Sequence, residues 1–529
     1  MNKAILILTL IAIGLLSIQT IANFDTGFHL ATGKYVVENL AVPLYDVFSY
    51  TAQGTRLIAH YWLSDAVFYL VYEATGYRGL MVFAGFIGMA AYFLLYKAGN
   101  RFLSGGMAPV LLIMLAFLTF ELWVVRAQIF SYFFVALLLL LLEKKKFVWI
   151  IPLMLVWANA HAGVVLGIAI LAWHAAVWMI EHRKEIKNIS GLCRMSGYRL
   201  WMYIAAAGAT LLNPNGLESL TYSQTISQSV DVLQIAEWKS LFYYIGGTWQ
   251  SVAYLCLMVA VLAVYIFGKC KTVWLSGMLV GALALPIISI RHVGFFPFLA
   301  YLPLAAAVST MLFSFERVKR ILVPAAAVFL VLLCGYGVYR YATLTTLNHH
   351  VLPERAADFI QEHTLEGNMF NTQPVGGWLM WKLWPERLVY YDGRNELYTG
   401  EMDAELRGIE TGLLDPSAVF EKRNIQYAVL HYRDYFTLVP AQPIAQLFAR
   451  ITRENDFKLV FWDDSSIVLV KASGPNKAVA EKFGYEHISP FFIKNGTKQD
   501  IAAEFDRALN AAPDSDSVRL TAQNIISQF

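Results

Sequence analysis

Long apolar runs separated by short polar loops occupy the sequence up to about residue 340. A bilayer core requires about 20 consecutive apolar residues in a helix, and about 11 runs approach or reach that length. They lie near residues 4–22, 79–96, 107–123, 128–142, 147–158, 163–180, 199–212, 251–268, 273–290, 294–312 and 321–340. The pattern predicts a polytopic α-helical membrane protein with about 11 transmembrane helices.

Two segments near the N-terminus need separate interpretation. Residues 4–22 resemble a secretory signal, but they lack a clear cleavage pattern and are long enough to span, so we predict a retained first helix. The apolar segment Tyr61–Thr75 contains Asp65 and Glu73. This composition favours an interfacial or re-entrant helix.

Composition agrees with the membrane assignment. Of 529 residues, 57% are hydrophobic and only 15% are charged, which excludes an ordinary soluble protein. The net charge is +3 and no basic tract is present, so a nucleic-acid partner is not expected. The four cysteines are widely separated and form neither a disulfide framework nor a CxxC metal motif.

Basic residues fix the predicted orientation, because cytoplasmic loops carry an excess of lysine and arginine. When the 11 spans are threaded in order, alternate loops are basic, at 97–101, 144–146, 183–194, 269–271 and 317–320. These loops are therefore assigned to the cytoplasm. The N-terminus is predicted inside the cytoplasm and the C-terminal part outside it.

The polar C-terminal part is predicted to contain two pieces. Residues 341–472 alternate between helical and strand patterns, with strands predicted at 368–372, 387–394 and 426–432 and a closing hairpin at 457–471. This alternation indicates an α/β domain outside the cytoplasm, following a transmembrane domain of residues 1–340. Residues 473–529 are predicted to form a helical tail whose residue pattern resembles a tetratricopeptide hairpin and that must pack on the α/β domain or on a protein partner. The Asp392-Gly393-Arg394 segment is either a site or, as we favour, a turn ending a strand.

The first predicted outer loop, residues 23–65, concentrates ionisable side chains beside a membrane helix. Asp25 and Asp46 are candidate catalytic carboxylates, since a partly desolvated carboxylate is a suitable general base. Asp46 also fits a turn cap. His29 follows Asp25 by one helical turn, so the two side chains would share one face of a helix. Together with His60 and Asp46 they suggest a divalent-ion site. The spacing matches no known metal motif, and no metal ligand is assigned.

Later outer loops supply cations and hydrogen-bonding groups at the ends of spans. Arginine binds phosphate through two donors and retains its charge, so Arg126 and Arg291 are candidate ligands of a lipid-linked phosphate. Snorkelling to the interface and ordinary interhelical hydrogen bonds are the alternatives. The other candidate substrate-binding residues on this face are His29 and His60 in the first loop and Gln128, Asn159, His161, Asn213, Glu237, Trp238 and His292 in the later loops.

Several of these segments, taken in order, resemble bacterial members of the GT-C superfamily of membrane glycosyltransferases, such as the mannosyl- and aminoarabinosyltransferases. They are DTGFHLATGKYV, VPLYDVFSYTAQG and HYWLSD in the first loop, then RAQIFSY, WANAHAG, LNPNGL and RHVGFFPF. The resemblance implies a sugar donor linked to a polyprenyl phosphate, and it places the acidic catalytic residue at Asp25. Relatives often have D-x-D and H-E-W where this chain has Asn23 and Tyr61. We therefore expect one main carboxylate.

With this resemblance, the leading prediction is an inverting glycosyltransferase of a bacterial inner membrane, with its C-terminal α/β domain in the periplasm. It would transfer a sugar from a polyprenyl-phosphate donor to a glycan, lipid or protein acceptor on the outer face. One alternative is a transporter or flippase, which would show mid-membrane charges and internal repeats. Another is a non-catalytic scaffold that recruits a protein partner through residues 473–529.

Overall fold

The computed structural model of the protein describes residues 2–117, 119–183, 199–227, 236–244, 248–312, 316–398, 400–431, 442–454, 456–494 and 496–526. The chain forms two compact units. The first unit comprises residues 1–20 and 58–346, and the second comprises residues 21–57 and 347–529. The sequence-based division had grouped residues 23–65 with the membrane spans, whereas most of this loop clusters with the C-terminal part of the chain.

The first unit is helical. Its α-helices are Asn2–Leu16, Trp62–Gly99, Met107–Phe117, Gln128–Glu143, Ile150–Ala160, Val164–Glu181, Arg199–Ala209, Glu218–Ser227, Trp249–Phe267, Val273–Ile288, Phe296–Leu312 and Glu316–Thr343. Short 3-10 helices are Phe120–Leu122, Phe147–Trp149, Ala236–Trp238, Leu241–Tyr244 and Ile290–Phe295. Each of the predicted apolar runs coincides with a helix. The predicted basic loop 184–194 lies outside the described residues.

Five helical segments of this unit are long and apolar enough to cross a membrane. They are Trp62–Gly99, Val164–Glu181, Trp249–Phe267, Ile290–Met311 and Leu322–Thr343. The remaining apolar helices of the described chain are shorter, with 10–17 residues. These helices identify a polytopic membrane protein, while the predicted count of about 11 spans and the N-in orientation stay predictions.

A break in the helix Trp62–Gly99 separates its first part, which contains Asp65 and Glu73, from its longer second part. Gly76 has φ 66° and ψ −168°, a conformation that interrupts the helix and that glycine adopts without steric cost. The helix therefore changes direction close to the boundary expected between the segment Tyr61–Thr75 and the following span. Asp65, in the first part, is fully buried.

The second unit contains a four-stranded mixed sheet in the order β1-β2-β4-β3. The strands are β1 (Asn368–Asn371), β2 (Ile425–His431), β3 (Phe457–Trp462) and β4 (Ser466–Lys471). β1 and β2 are parallel, while β4 is antiparallel to both β2 and β3. Every residue of β2 is buried, as expected for a central strand covered on both faces.

The helices of this unit are Asp25–Asn39, Glu354–Glu362, Gln373–Leu383, Glu401–Thr411, Pro416–Lys422, Gln442–Glu454, Lys477–Phe483, Lys498–Ala511 and Asp516–Ile526. The predicted small α/β domain is therefore present. One strand prediction was wrong, because residues 387–394 form no regular strand. Their one β-type pairing is an isolated parallel bridge between Val389 and Ser49 of the first loop.

The first-loop helix, Asp25–Asn39, packs closely against the helix Gln373–Leu383, which we call the glycine helix. A β-carbon at Gly27 would lie 2.3 Å from the carbonyl oxygen of Gly377 and 2.6 Å from Cα of Trp378. Such backbone contact is possible only without side chains at the crossing. The crossing holds the start of the first-loop helix against the α/β domain.

The tail helices pack on the same unit. The carboxylate of Glu504 accepts hydrogen bonds from the backbone N–H groups of Glu486, His487 and Ile488, at 2.8–3.0 Å. Asp464, at the hairpin between β3 and β4, accepts a hydrogen bond of 2.6 Å from the backbone of Ser517. The tail thus leans on the α/β domain, one of the two arrangements that the sequence allowed.

Candidate active site

Asp25 begins the first-loop helix, and its backbone is fixed by Asn23. The side-chain oxygen of Asn23 accepts a hydrogen bond of 2.8 Å from the backbone N–H of Asp25. Asparagine is a favoured residue for satisfying the unpaired N–H groups at a helix start. Asp25 is partly buried. A carboxylate in the first turn is also stabilised by the helix dipole, which favours its ionised form.

Asp46 belongs to a buried carboxylate cluster that also contains Asp392, Arg394 and Tyr398. Nη1 of Arg394 lies 2.8 Å from Oδ1 of Asp46, and the same guanidinium binds Asp392 through Nε at 2.8 Å and Nη2 at 2.6 Å. The side chains of all three charged residues are 0% exposed. Arg394 thus joins the first loop to the C-terminal segment.

Local turns orient the members of this cluster. Asp46 accepts hydrogen bonds from Ser49 through its backbone N–H at 3.0 Å and its hydroxyl at 2.6 Å, which makes it a turn cap. Asp392 accepts a bond of 2.9 Å from the backbone N–H of Arg394. The hydroxyl of Tyr398 donates to Asp392 at 2.6 Å. The Asp392–Arg394 segment is therefore a tight turn, as favoured from the sequence.

The charges of the cluster stabilise one another. Burial by itself raises the pKa of Asp392, but the charge and hydrogen bonds of Arg394 outweigh burial and leave that pKa below its usual range. Burial and the Asp392 carboxylate raise the pKa of Tyr398 well above its usual value. Asp392 is thus ionised and Tyr398 is a neutral hydrogen-bond donor.

In the first unit, Arg126, Glu237 and Arg291 form a second group, which we call the arginine cluster. Nη1 of Arg126 donates to Oε1 of Glu237 at 2.9 Å, and Nη1 of Arg291 lies 4.0 Å from Oε2. Trp238 faces the Arg291 guanidinium at 5.2 Å from the ring centre. The exposed fractions of the side chains are 16% for Arg126, 30% for Arg291 and 43% for Glu237.

Backbone contacts bring the two loops of this cluster together. The hydroxyl of Ser289 donates to the carbonyl of Glu237 at 2.8 Å, and the N–H of Ile290 donates to the carbonyl of Lys239 at 2.8 Å. Gln128 donates to the carbonyl of Arg291 at 3.0 Å and to the hydroxyl of Tyr132 at 2.7 Å. Gln128 thus positions the backbone of Arg291.

The arginine cluster carries a formal charge of +1, because two guanidiniums share one carboxylate. The charge of Arg126 holds the pKa of Glu237 at about 2, with burial opposing this shift and Arg291 adding to it. Glu237 is therefore ionised at neutral pH. An exposed cluster with one excess positive charge is suited to bind a singly charged anion.

Asn159 and Asn213 are used in structural hydrogen bonds. The carbonyl oxygen of Asn159 accepts a bond of 3.0 Å from Nε1 of Trp62, and its amide donates to the carbonyls of Leu155 and Leu212. The amide of Asn213 donates to the carbonyls of Thr210 and Gly216 within its own turn. These contacts are the interhelical bonds and caps that the sequence left open as an alternative.

His161 lies in a hydrogen-bonded group with Ser131. The backbone N–H of Gly163 donates to Nδ1 of His161 at 2.9 Å, so this nitrogen is the acceptor and the proton of a neutral ring resides on Nε2. The Ser131 hydroxyl lies 2.8 Å from the same Nδ1 and accepts a bond of 2.8 Å from Nε1 of Trp157. The group therefore fixes the orientation of the imidazole.

The remaining candidate histidines lie in three different settings. His29 is buried in the first-loop helix with its ring 4.4 Å from that of Phe28. His60 packs 4.2 Å from the Tyr222 ring, and burial, with the Arg291 charge adding to it, lowers its pKa to about 3. His292 belongs to the turn Ile290–Phe295. In the part of the chain that the structure describes, no group of three His, Cys, Asp or Glu side chains is arranged to hold a metal ion.

Two features of the site escaped the sequence interpretation. Arg394 was named only as part of a turn, although it is the cation that Asp46 contacts. The glycines at positions 27 and 377 were not singled out, although they allow the closest approach of the first-loop helix to the glycine helix. The Gly376-Gly377 pair preceding an apolar helix was the available signal for such a crossing.

Comparisons with known proteins find similarity in structure but not in sequence. No protein-family model matches the chain, and no curated protein sequence does. The archaeal oligosaccharyltransferase AglB from Archaeoglobus fulgidus, solved with an inhibitory peptide and a dolichol-phosphate, matches with a TM-score of 0.52 and 11% identity over 81% of this chain and 69% of that one. The same enzyme tethered to an acceptor peptide matches with a TM-score of 0.53 and 11% identity over 89% and 74%. ArnT from Cupriavidus metallidurans, bound to undecaprenyl phosphate, matches with a TM-score of 0.49 and 11% identity over 89% and 98%.

The similarity to AglB establishes the fold. A membrane-helical part and a C-terminal α/β part occur together in this chain, and the superposition extends over most of both proteins. The resemblance to the GT-C glycosyltransferases that the sequence indicated is therefore confirmed at the level of the fold.

Proposed function

We propose that this protein is an integral membrane glycosyltransferase that transfers a sugar from a polyprenyl-phosphate donor to an acceptor on the periplasmic face. The observation that carries the proposal is the arginine cluster, which presents two partly exposed guanidiniums within a fold similar to AglB. AglB binds a dolichol-phosphate, which supports a lipid-linked donor here.

Charge matching favours this donor class. A phosphate esterified to both a lipid and a sugar carries one negative charge, which matches the +1 charge of the arginine cluster. Departure of the sugar leaves a lipid monophosphate with greater negative charge, so the guanidiniums stabilise the leaving group more strongly than the donor. Such preferential stabilisation of developing charge accelerates a reaction.

Asp25 is assigned as the general base. In the transfer step the acceptor oxygen or nitrogen attacks C1 of the sugar, and its proton passes to the Asp25 carboxylate. The bond between C1 and the phosphate oxygen breaks, and its electron pair leaves with the polyprenyl phosphate. Attack from the face opposite the leaving group inverts the configuration at C1. One base and one stabilised leaving group suffice for this chemistry.

The other candidate residues receive supporting roles. Gln128 positions Arg291, and Trp238 packs on the guanidinium of Arg291. His29 and Asp46 shape the acceptor side of the site, Asp46 through its turn and its contact with Arg394. Support for this assignment of Asp46 comes from its complete burial, which makes direct proton transfer to a substrate less suitable there than at Asp25.

The test compares Asp25→Asn with wild type in lipid nanodiscs supplied with a panel of undecaprenyl-phosphate hexoses and total membrane acceptors. We expect Asp25→Asn to reduce sugar transfer by about 10²–10⁴-fold, the usual contribution of a general base, without changing the thermal unfolding temperature. Transfer is measured as release of undecaprenyl phosphate together with labelled product.

Arg355→Met is the matched control, since Arg355 pairs at 3.0 Å with the mostly exposed Asp514 on the C-terminal part of the chain. It should leave transfer unchanged. Full transfer activity in Asp25→Asn would refute the assignment of the base, and absence of transfer by wild type from every donor of the panel would refute the proposed reaction.

A further inference from the structure

The tip of the Asp392–Arg394 turn lies against the carboxylate of Asp25. A β-carbon at position 393 would lie 3.1 Å from Oδ1 of Asp25 and 3.6 Å from the ring of Phe28. The first distance is shorter than most contacts of real β-carbons, so even an alanine there would require Asp25 to shift by a few tenths of an ångström. Glycine at this position therefore sets the space that the carboxylate occupies.

Hydrogen bonds within the buried carboxylate cluster fix the backbone of this turn. Asp392 binds the backbone N–H of Arg394 at 2.9 Å and its guanidinium at 2.6 Å. The hydroxyl of Tyr398 also donates a hydrogen bond of 2.6 Å to the Asp392 carboxylate, and the Tyr398 ring stacks with its centre 3.9 Å from that of Tyr391. The tip residue, Gly393, is thus held between two fully buried, hydrogen-bonded charges.

The Arg394 guanidinium also contacts the first loop at Asp46 and Phe48. Arg394 contacts Asp46 at 2.8 Å, and its guanidinium lies 5.1 Å from the ring centre of Phe48. The backbone N–H of Val389 donates to the carbonyl of Phe48 at 3.1 Å. The loop is therefore attached to the C-terminal segment both at Asp46 and at the glycine crossing beside Asp25.

We propose that the Asp392-Gly393-Arg394 turn positions Asp25, with Arg394 as the residue that locks the turn and Gly393 as the residue that touches the carboxylate. The inference rests on the proposed function in taking Asp25 as the base. It goes further in assigning to the C-terminal domain the placement of a catalytic group supplied by the first loop. Gly393 and Arg394 are positioning residues, because they act through Asp25 and neither bind substrate nor exchange a proton themselves.

The experiment compares Gly393→Ala with Gly484→Ala, a control on the tail of the same unit. A β-carbon at Gly484 would lie 2.4 Å from the carbonyl oxygen of Ala480, so this control introduces a backbone clash that does not involve Asp25. Both proteins are placed in nanodiscs with the undecaprenyl-phosphate hexoses. Carbodiimide labelling of Asp25, followed by peptide mass spectrometry, reports the environment of the carboxylate independently of turnover.

We expect Gly393→Ala to lower kcat about tenfold with KM for the donor changed less than twofold, because a displaced base affects the chemical step more than donor binding. The labelling rate of Asp25 should change at least twofold. Gly484→Ala should lower the unfolding temperature and leave both kcat and Asp25 labelling at wild-type values.

Arg394→Lys adds a second variant, since lysine retains the charge but cannot contact both carboxylates through a planar fork. It should alter Asp25 labelling in the same direction as Gly393→Ala. Wild-type labelling of Asp25 in both variants would overturn the positioning role even if the protein is an active transferase. Altered labelling in a protein that turns over no donor would retain the positioning contact and refute the proposed reaction.

Discussion

The two charged clusters of this protein have opposite compositions and opposite exposure. The buried carboxylate cluster contains two aspartates and one arginine, all 0% exposed. The arginine cluster contains two arginines and one glutamate with exposed fractions of 16–43%. The first is closed to solvent and holds its partners through at least three short contacts, whereas the second is partly exposed to solvent.

This difference indicates which charged residues stabilise the fold and which are accessible for chemistry. A buried ion pair loses its hydration on folding and must keep its partners, because an orphaned buried charge costs several kcal/mol. A partly exposed pair contributes only about 0–1 kcal/mol and exchanges partners with little loss. We therefore expect substitutions in the first cluster to act on stability and substitutions in the second to act on anion binding.

The largest effect is expected for Arg394→Met, which leaves Asp46 and Asp392 buried without their cation. It should destabilise the second unit by about 3–5 kcal/mol, measured by thermal or denaturant unfolding in detergent micelles. Arg355→Met, which removes an ion pair with a largely exposed partner, should cost less than about 1 kcal/mol. Equal losses in the two variants would contradict the distinction between buried and exposed pairs.

A smaller effect, dependent on pH, is expected for Glu410→Gln in the helix Glu401–Thr411. Burial raises the pKa of Glu410 to about 7, although the backbone N–H of Gln373 and the charge of Arg407 lower it. A carboxyl group with a raised folded-state pKa favours folding below its unfolded pKa and loses this contribution as the pH rises through about 7.

At pH 8, Glu410→Gln should therefore raise the free energy of unfolding by about 1 kcal/mol and the unfolding temperature by about 2–4 °C. At pH 4 it should have no effect. Glu401→Gln, on the same helix with an exposed side chain, should show no such pH dependence. A stabilisation that is equal at pH 4 and pH 8 would exclude ionisation of Glu410 as its cause.

The first unit should show the reverse pH dependence through His60. Its pKa is lowered from 6.5 to about 3 by burial and by the Arg291 charge, so the folded state keeps it neutral. The unfolded state binds a proton below pH 6.5, and stability is progressively lost as the pH falls from 6.5 toward 3.

The unfolding temperature of the wild type should decrease between pH 7 and pH 5. We expect this decrease to be about 2 °C smaller in His60→Gln. His182→Gln, at the end of the helix Val164–Glu181, serves as the control and should leave that decrease unchanged. An unaltered pH profile in His60→Gln would show that another group of the first unit is responsible.

The smallest effect on stability is expected for Glu237→Gln, about 1 kcal/mol or less, because this carboxylate is partly exposed. Its effect on binding should be opposite in sign. Loss of the carboxylate raises the charge of the arginine cluster from +1 to +2, so affinity for undecaprenyl phosphate should increase a few-fold, measured by lipid titration in nanodiscs. A loss of stability comparable to that of Arg394→Met would contradict the proposed difference between the clusters.

Much of the fold follows from local pattern. Apolar length located the apolar helices of the first unit but not the polar helix Glu218–Ser227, and the strands β1, β2, β3 and β4 coincide with predicted strands. The strand predicted at 387–394 was wrong because its apolar run, including Val389 and Tyr391, is buried without a regular strand partner. An apolar run indicates burial but does not by itself supply a neighbouring strand.

The candidate site residues divide into those that the structure groups in a charged cluster and those that make structural hydrogen bonds. Arg126, Glu237 and Arg291 were selected because charged residues at span ends are unusual, and the structure brings them together. The same reasoning selected Asn159 and Asn213, which hydrogen-bond to nearby helices and turns. Composition and position identify polar groups near a membrane but do not distinguish a hydrogen bond already satisfied within the protein from one available to a substrate.

That the chain is a membrane protein with an α/β domain could be predicted from its residues, because hydrophobic length and periodicity are local properties. The grouping of residues 21–57 with residues 347–529, and the contact between Asp46 and Arg394, emerged from the three-dimensional structure. Contacts between segments so distant along the chain depend on shape complementarity and on the pairing of buried charges. Neither property can be read from one segment alone, and both determine where the turn at Gly393 meets Asp25.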